Sequence, residues 1–402
     1  MSDTLIDKVL CTGCGLCKDV CPVKCITLKE DDLAAVYPEA DKSKCINCRR
    51  CFDICPALNF EPENLKSPRT LYVAWNKNSS VRRSSASGGI ASGFYSYAFA
   101  KGWHATGAKF DSKNKLTMTL LTGDTFDDDC RNSKYVYCSI QVYSEVIARL
   151  KHGTPVLFIG LPCQVAAMKQ YADKAGLNEQ LVTVDLICHG VAPERYLQDH
   201  IKHIGTKKGR RIRKVFFRDP KYGTNNYMFS LYDDKDACIY KKRVLSGDVY
   251  QNGYHSAVIY RENCYNCKYA RAERISDITI GDFSGLGRLQ PYKGDKTKIS
   301  SVLINTDRGE EFWKNSSHLF QFELRPLDEA LRFEKQLLHP SIKTSMYDTF
   351  AEVYRAEVDF DKAVRKALSW QIKKGELYSF FHIFELKAVL RPIIRKVLQR
   401  NE

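Results

Sequence analysis

The chain has 402 residues, enough for two or three domains, with 44% hydrophobic and 27% charged residues, as in an ordinary globular protein. Its formal net charge of +15 would draw acidic carriers, phosphate-bearing ligands or anionic surfaces, or simply solvate the exterior, while the lack of a zinc finger, aromatic RNA-binding signature or long basic arm argues against nucleic acid. The opening MSDTLIDKVLC has no apolar signal core, no uncharged apolar run nears the roughly 18 residues of a membrane span, and sixteen cysteines without an export signal indicate a reducing, cytoplasmic setting and metal ligation.

The first element is a doubled cysteine comb. CTGCGLCKDVCP runs from Cys11 to Pro22 and CINCRRCFDICP from Cys45 to Pro56, each spaced C-x2-C-x2-C-x3-C-P. Three thiolates in one short loop can hold three corners of a four-iron cage, and the fourth, turned away by proline, reaches the other cage. The spacing therefore predicts one [4Fe–4S] cluster on Cys11, Cys14, Cys17 and Cys55, and a second on Cys45, Cys48, Cys51 and Cys21. Zinc sites usually pair C-x2-C units across a longer gap, and disulfides need no doubled comb.

After a linker by composition, ALNFEPENLKSPRT (Ala57 to Thr70), LYVAWN from Leu71 reads as a strand opening a second domain. In VRRSSASGGIASGFYSYAFAKGW, Ile90, Phe94, Tyr97 and Ala98 recur at helical spacing and Gly102 is a plausible stop. Ser87, Gly88 and Gly89 then sit at a helix N-terminus, where unpaired N–H groups suit a phosphate. The competing reading is that Ser87 only caps the helix.

Farther along, Val156 to Gly160 reads as a buried strand, Gln164 to Lys174 as a helix and Leu181 to Ile187 as a second buried strand. A right-handed crossover places both strand ends on one edge, so Cys163 and Cys188 are expected to face one crevice. RENCYNCKYARAERISDITIGDFSGLG adds Cys264 and Cys267 and a buried strand at Ile275 to Ile280. Those four cysteines suffice for a third cage, while a zinc site, a redox dithiol and unligated thiols stay as alternatives. Cys25, Cys130, Cys138 and Cys238 read as small buried residues.

At the C-terminus, ELKAVLRPIIRKVLQRN puts Leu386, Leu390, Ile393, Ile394 and Val397 on one helical face, and Lys387, Arg391, Arg395 and Lys396 around the rest. Such a basic amphipathic helix fits either an anionic membrane surface, on the inner face of the cell membrane, or packing on the core with its charges in water.

These segments together resemble the coenzyme F420 hydrogenase/dehydrogenase beta-subunit family. The likeness runs from about Cys11 to about Trp313. It is carried by the doubled comb, VRRSSASGGI, SKYVY, VLFIGLPCQVAAMK, VDLICHGV, FRDPKYG, CYNCKYARAERISDITIGDFSG and SSVLINTDRG, in that order. It implies a mixed α/β (α+β) chain. A bacterial ferredoxin-like module is expected over 1–60, a flavin-binding region over 70–150 and a domain with the inner cysteine site over 151–325, while the basic helical extension over 326–402 lies beyond the likeness. It also implies FAD beside the clusters, with Arg82, Ser87, Gly88, Gly89 and Asp282 as the cofactor-binding set, and Cys163, Cys188, Cys264 and Cys267 as ligands near the flavin.

Two departures stand out. Leu161 replaces the usual threonine of G-T-P-C-Q, and Ser284 replaces the tryptophan after G-D-F, which puts use of the deazaflavin coenzyme in doubt. The resulting expectation is an iron–sulfur flavoprotein oxidoreductase that takes electrons from a ferredoxin or flavodoxin, by resemblance linked to cell-surface polysaccharide synthesis. A relay subunit without its own substrate site and a non-catalytic sensor or scaffold are the alternatives. His189 would supply a proton during turnover, or hydrogen-bond beside the cluster and tune it, the second being preferred. Asp282 would orient the flavin or cap a turn.

Overall fold

The computed structural model describes residues 5–222 and 227–381. The expected amphipathic helix over Glu385 to Asn401 lies outside the described residues. The first comb carries a short helix α1 (Leu16–Asp19), and the second carries α2 (Arg50–Asp53). Between them β1 (Ile26–Glu30) and β2 (Val36–Ala40) form an antiparallel hairpin.

A nine-stranded mixed sheet forms the centre of the molecule. Its members are β3 (Thr70–Asn76), β4 (His104–Phe110), β5 (Leu116–Leu121), β6 (Ser139–Ile140), β7 (Val156–Gly160), β8 (Leu181–Leu186), β12 (Ile278–Gly281), β13 (Ser300–Ile304) and β14 (Phe320–Arg325). They lie in the order β14-β3-β13-β12-β8-β7-β4-β5-β6, with β4, β7, β8 and β12 parallel at its heart. A separate three-stranded sheet contains β9 (Ile212–Phe216), β10 (Met228–Asp233) and β11 (Cys238–Arg243).

β7 shows why the chain adopts this arrangement. All five of its residues are buried, with Val156 and Phe158 in the core on one face and Leu157 and Ile159 in the core on the other. A continuous apolar run of this length belongs in a parallel sheet covered on both sides. One face is covered by α4 (Ile90–Ala100) and α9 (Asp307–Ser316): Phe94 packs edge-on against Phe312 and Phe320, and Trp313 stacks on Phe320. The other face is covered by α5 (Tyr143–Lys151), α6 (Pro162–Ala175), α7 (Glu194–Lys208) and α8 (Val249–His255).

The helical extension does not stand apart. Of α10 (Asp328–Leu331), α11 (Ser345–Glu357), α12 (Phe360–Ala367) and α13 (Ser369–Phe380), the middle two place Phe350, Tyr354 and Phe360 around Tyr196 of α7. A further short helix, α3 (Ser79–Ser84), is capped by Asn78.

Sequence expectations for the crossover hold closely. The helix begins earlier than expected, at Pro162, because proline lacks the N–H that a first helical turn leaves unpaired, and it stops at Gly176 in the left-handed region with φ 66°. β12 starts three residues later than expected. Asp277 is taken instead by side-chain bonding, its Oδ2 accepting from Thr183 N–H (2.8 Å) and Thr183 Oγ1 (2.7 Å). The linker also does more than connect. Lys66 and Arg274 exchange two backbone hydrogen bonds of 2.8 Å, tying it to the segment after Cys267.

The comb module is docked tightly. Leu16 and Ile54 share a core with β7 and α6, Tyr137 and Tyr143 donate to the carbonyls of Gly13 (2.8 Å) and Cys14 (3.2 Å), and Tyr196 donates to Leu33 O (2.5 Å). Cys138 is buried and Cys25 is also buried, but Cys130 and Cys238 are only half-buried, so small core residues describe the first pair and not the second.

Candidate redox site

The topology explains how distant cysteines meet. Cys163 is the second residue of α6, immediately after β7, and Cys188 follows β8. Because β7 and β8 are parallel neighbours, both cysteines emerge at the same sheet edge. Cys264 and Cys267 arrive on the loop that leads toward β12, whose parallel pairing with β8 fixes its place. Burial pushes the Cys163 thiol well up, reinforced by Cys267, Cys188 and Cys264. Cys188 is raised in the same way by burial, Cys264 and Cys267, and Cys264 to about 12 by burial and Cys267. All four inner cysteines are thus close enough to act on one another.

The first comb forms a similar set. Burial raises Cys11, Cys14 and Cys17, with Cys55 adding to the rise at all three and Arg261 opposing it at Cys11. A cavity of about 30 Å3 lies among them, lined also by Leu28 and Pro56. In the second set, Cys21 of the first comb joins Cys45 and Cys51 of the second around one small apolar cluster, and Cys48 is exposed. Cys25 joins this set: its Sγ is 3.5 Å from that of Cys21, and burial, Cys21 and Cys45 push its thiol up to about 11.

These donor sets fit iron–sulfur cages. They contain soft sulfur ligands only, and at Cys11, Cys14, Cys17, Cys163, Cys188 and Cys264 the burial that disfavours a free thiolate is offset when irons take the sulfur as a ligand. Among the described residues no three His, Cys, Asp or Glu side chains converge on a single ion. A cage instead spreads its thiolates over four metal atoms.

The sets also form a series. Cys14 of the first comb acts on Cys163 of the inner set, and Tyr143 and Tyr269 each lie within reach of both. Cys163 and Cys267 pack with Leu65, Ala166 and Tyr269 in one small apolar cluster.

Asp282, whose charge acts on His189 next to Cys188, lines a cavity of about 510 Å3. Ser87 and Asp282 line it, as do Arg218, Arg288, Lys296 and Lys298, so its walls carry four cations against one carboxylate. Arg218 Nη1 and the Tyr227 hydroxyl both donate to Asp282 Oδ2 at 2.8 Å, and the Arg218 guanidinium lies 4.1 Å from the centre of the Tyr227 ring. Desolvation, with Arg218 and Arg82 nearby, lowers Lys298 to about 8. His189 is exposed on one side and crowded on its protein side. That crowding lowers its pKa, with Glu334 and Asp282 opposing. His255, behind it, is lowered to about 4 by burial, His189 and Arg218.

The expected cofactor-binding residues occupy different positions. Ser87 and Asp282 reach the cavity. Gly88 is buried against the sheet, where a Cβ would fall 2.6 Å from Ala74 O, and its N–H donates to Ser300 Oγ at 3.0 Å. Gly89 is buried with φ 78°, where only glycine turns the chain into α4 without strain. Arg82 donates from Nε to Lys298 O (2.9 Å) and from Nη2 to Thr297 O (2.7 Å), fastening the segment that carries Lys298. Sequence reasoning missed Arg218, Arg288, Lys296 and Lys298. Arg218 belongs to FRDPKYG and Arg288 follows GDFSGLG, and KGDKTKIS is visibly basic, but nothing in those stretches shows that they converge.

The departures from the family pattern have local roles. Leu161 N–H donates to Gln164 Oε1 at 2.8 Å, closing the first turn of α6. Ser284 lines the cavity and donates to Glu334 Oε2 at 2.5 Å.

Residues 153–330 match the family described as the C terminus of the coenzyme F420 hydrogenase/dehydrogenase beta subunit, and residues 10–59 match the 4Fe-4S dicluster domain. The chain is an iron–sulfur electron-transfer protein related to the F420 hydrogenase beta subunit over residues 153–330, with a dicluster 4Fe-4S domain over residues 10–59. In a xenon-derivatised structure of the F420-reducing [NiFe] hydrogenase complex from Methanosarcina barkeri, one chain aligns with it at 17% identity, over 77% of this chain and 92% of that chain, with a TM-score of 0.43. No curated protein matches the chain. Among the described residues no helix is long and apolar enough to cross a membrane.

Proposed function

We propose that the chain is an FAD-dependent iron–sulfur oxidoreductase in which three cysteine sets lead from the surface to the cationic cavity. The observation that carries this reading is the approach of the sets to one another: Cys48 is exposed in the outer set, Cys14 acts on Cys163 of the inner set, and His189, next to Cys188, feels the charge of Asp282 on the cavity wall. Cys11, Cys14, Cys17 and Cys55 would hold one cage, Cys45, Cys48, Cys51 and Cys21 the second, and Cys163, Cys188, Cys264 and Cys267 the third. When bound, the cages carry single electrons and FAD gathers them into pairs.

The protein's own groups support binding and proton control. Arg218, Arg288, Lys296 and Lys298 suit a pyrophosphate, while Ser87 offers a hydroxyl at the same wall. Asp282, held by Arg218 and Tyr227, is fixed to orient a ligand donor. His189, whose pKa crowding lowers while Glu334 and Asp282 oppose, can hold or release a proton. Ser284, where the family has a bulky ring, leaves room for a polar substrate, in keeping with a precursor of a cell-surface polysaccharide. The electron donor would be a ferredoxin or flavodoxin.

Anaerobically purified protein tests this. It should contain about twelve irons, from three four-iron cages, and one FAD per chain. Cys264→Ser should lose about four irons and keep the other eight. Flavin bleached with dithionite should reoxidise on adding a substrate. Reoxidation only with a second protein would make the chain a relay subunit, and absence of flavin would overturn the reading.

A further inference from the structure

Arg261 is 1% exposed and, among the described residues, pairs with no carboxylate. Burying an unpaired guanidinium is costly unless negative charge lies close by. Its side chain is wedged between the rings of Tyr37 and Tyr137, at 4.9 and 5.3 Å from their centres. Nη2 donates to Val36 O at 2.9 Å. Nε–H and Nη1–H have no partner among the described residues.

The guanidinium lies against the loop of the first comb. A Cβ at Gly13 would fall 2.6 Å from Nη2 and 3.2 Å from Nη1, so only glycine lets the loop pass. Backbone bonding brings the same residue to the inner set: Arg261 N–H donates to Val191 O (3.0 Å), and its own carbonyl accepts from Cys264 N–H (2.9 Å). Cys11 on one side and Cys264 on the other are the thiols that its charge favours as thiolates. Two unclaimed donors and a permanent charge therefore stand between two sulfur sets, where cluster potentials respond to local charge and to hydrogen bonds on sulfur.

We propose that Arg261 sets the reduction potentials of the centres held by the first comb and the inner cysteines, acting as a shared positive charge between them. The proposal rests on the cage assignment above. Adding an electron makes each centre more negative, so a fixed cation favours the reduced form and raises the potential. One residue thereby keeps the two centres matched for transfer between them.

The test is a potentiometric titration of the full-length holoprotein followed by electron paramagnetic resonance, with iron counted in every sample. Arg261→Met should retain wild-type iron yet weaken one-electron reduction at least tenfold at one or both centres, a drop of about 59 mV. Arg261→Lys, which keeps the charge, should recover most of that drop. Wild-type potentials in Arg261→Met would overturn the proposal. Loss of iron from both variants would also overturn it, leaving Arg261 with a role in the fold alone. Wild-type protein without iron would instead refute the cage assignment, so the two failures are distinguishable.

Discussion

Arg274 and Asp185 meet where β8 delivers Cys188 and the inner loop delivers Cys267. Both are almost completely buried, and Arg274 Nη2 is 3.0 Å from Asp185 Oδ1. The pair is close but poorly aligned, since neither Asp185 oxygen accepts a direct hydrogen bond. Arg274 also donates from Nη1 to the carbonyls of Tyr269 (3.1 Å) and Arg271 (3.2 Å), so it moulds the loop as well as balancing the charge. Removing one member of a buried pair strands the other. Arg274→Met is expected to destabilise the holoprotein by about 3–5 kcal/mol in urea denaturation. A double variant with Asp185→Leu should recover a large part of that loss, because the stranded carboxylate is gone.

At the scale of elements, α7 is joined to α8 and α12 through His200. The buried ring makes a 2.7 Å contact from Nδ1 to Asp361 Oδ1 and a 3.1 Å contact from Nε2 to Asp248 Oδ2. Burial alone would lower its pKa, but the two carboxylates outweigh it and raise the group to about 10. Its stabilising contribution is complete below the unfolded value of about 6.5 and is lost as pH rises toward 10. Stability should therefore fall over that window by up to about 1.4 kcal/mol per pH unit, and His200→Gln should flatten the slope in a denaturation series.

Element type was legible in the sequence where a single physical cause dominated. β7 is apolar on both faces, β8 is buried almost throughout, and Gly102 follows the end of α4. The strands β9 and β11 were not read, because IRKVF and CIYKKR mix charges into half-exposed positions and show no clean alternation. The combs were legible because their ligands are local, and the inner cysteines because two strand ends point to one edge. The cavity cations were not, since they come from separate segments joined only by the sheet order and by the grip of Arg82 on residues 297 and 298.

Considered whole, the molecule places its most exposed comb beside a basic surface. Cys48 is exposed, Ile46 is 60% exposed, and Lys42, Lys44, Arg49 and Arg50 surround them in the chain. With a net charge of +15, an acidic carrier should be steered toward that end. Stopped-flow reduction by an acidic ferredoxin is expected to slow at least about tenfold between low and high salt. Charge reversal at Arg49 and Arg50 should remove most of that salt dependence.

The openness of Cys48 has another side. Whatever admits a donor to the outer comb also admits dioxygen, whereas the first comb and the inner cysteines are screened by Tyr137, Tyr143 and Tyr269. On the cage assignment proposed above, damage from air would begin at the outermost cage and cut the supply of electrons while the deeper centres were still intact. An organism using this protein would thus lose its current before its deeply built interior, and repair would need to rebuild only the rim.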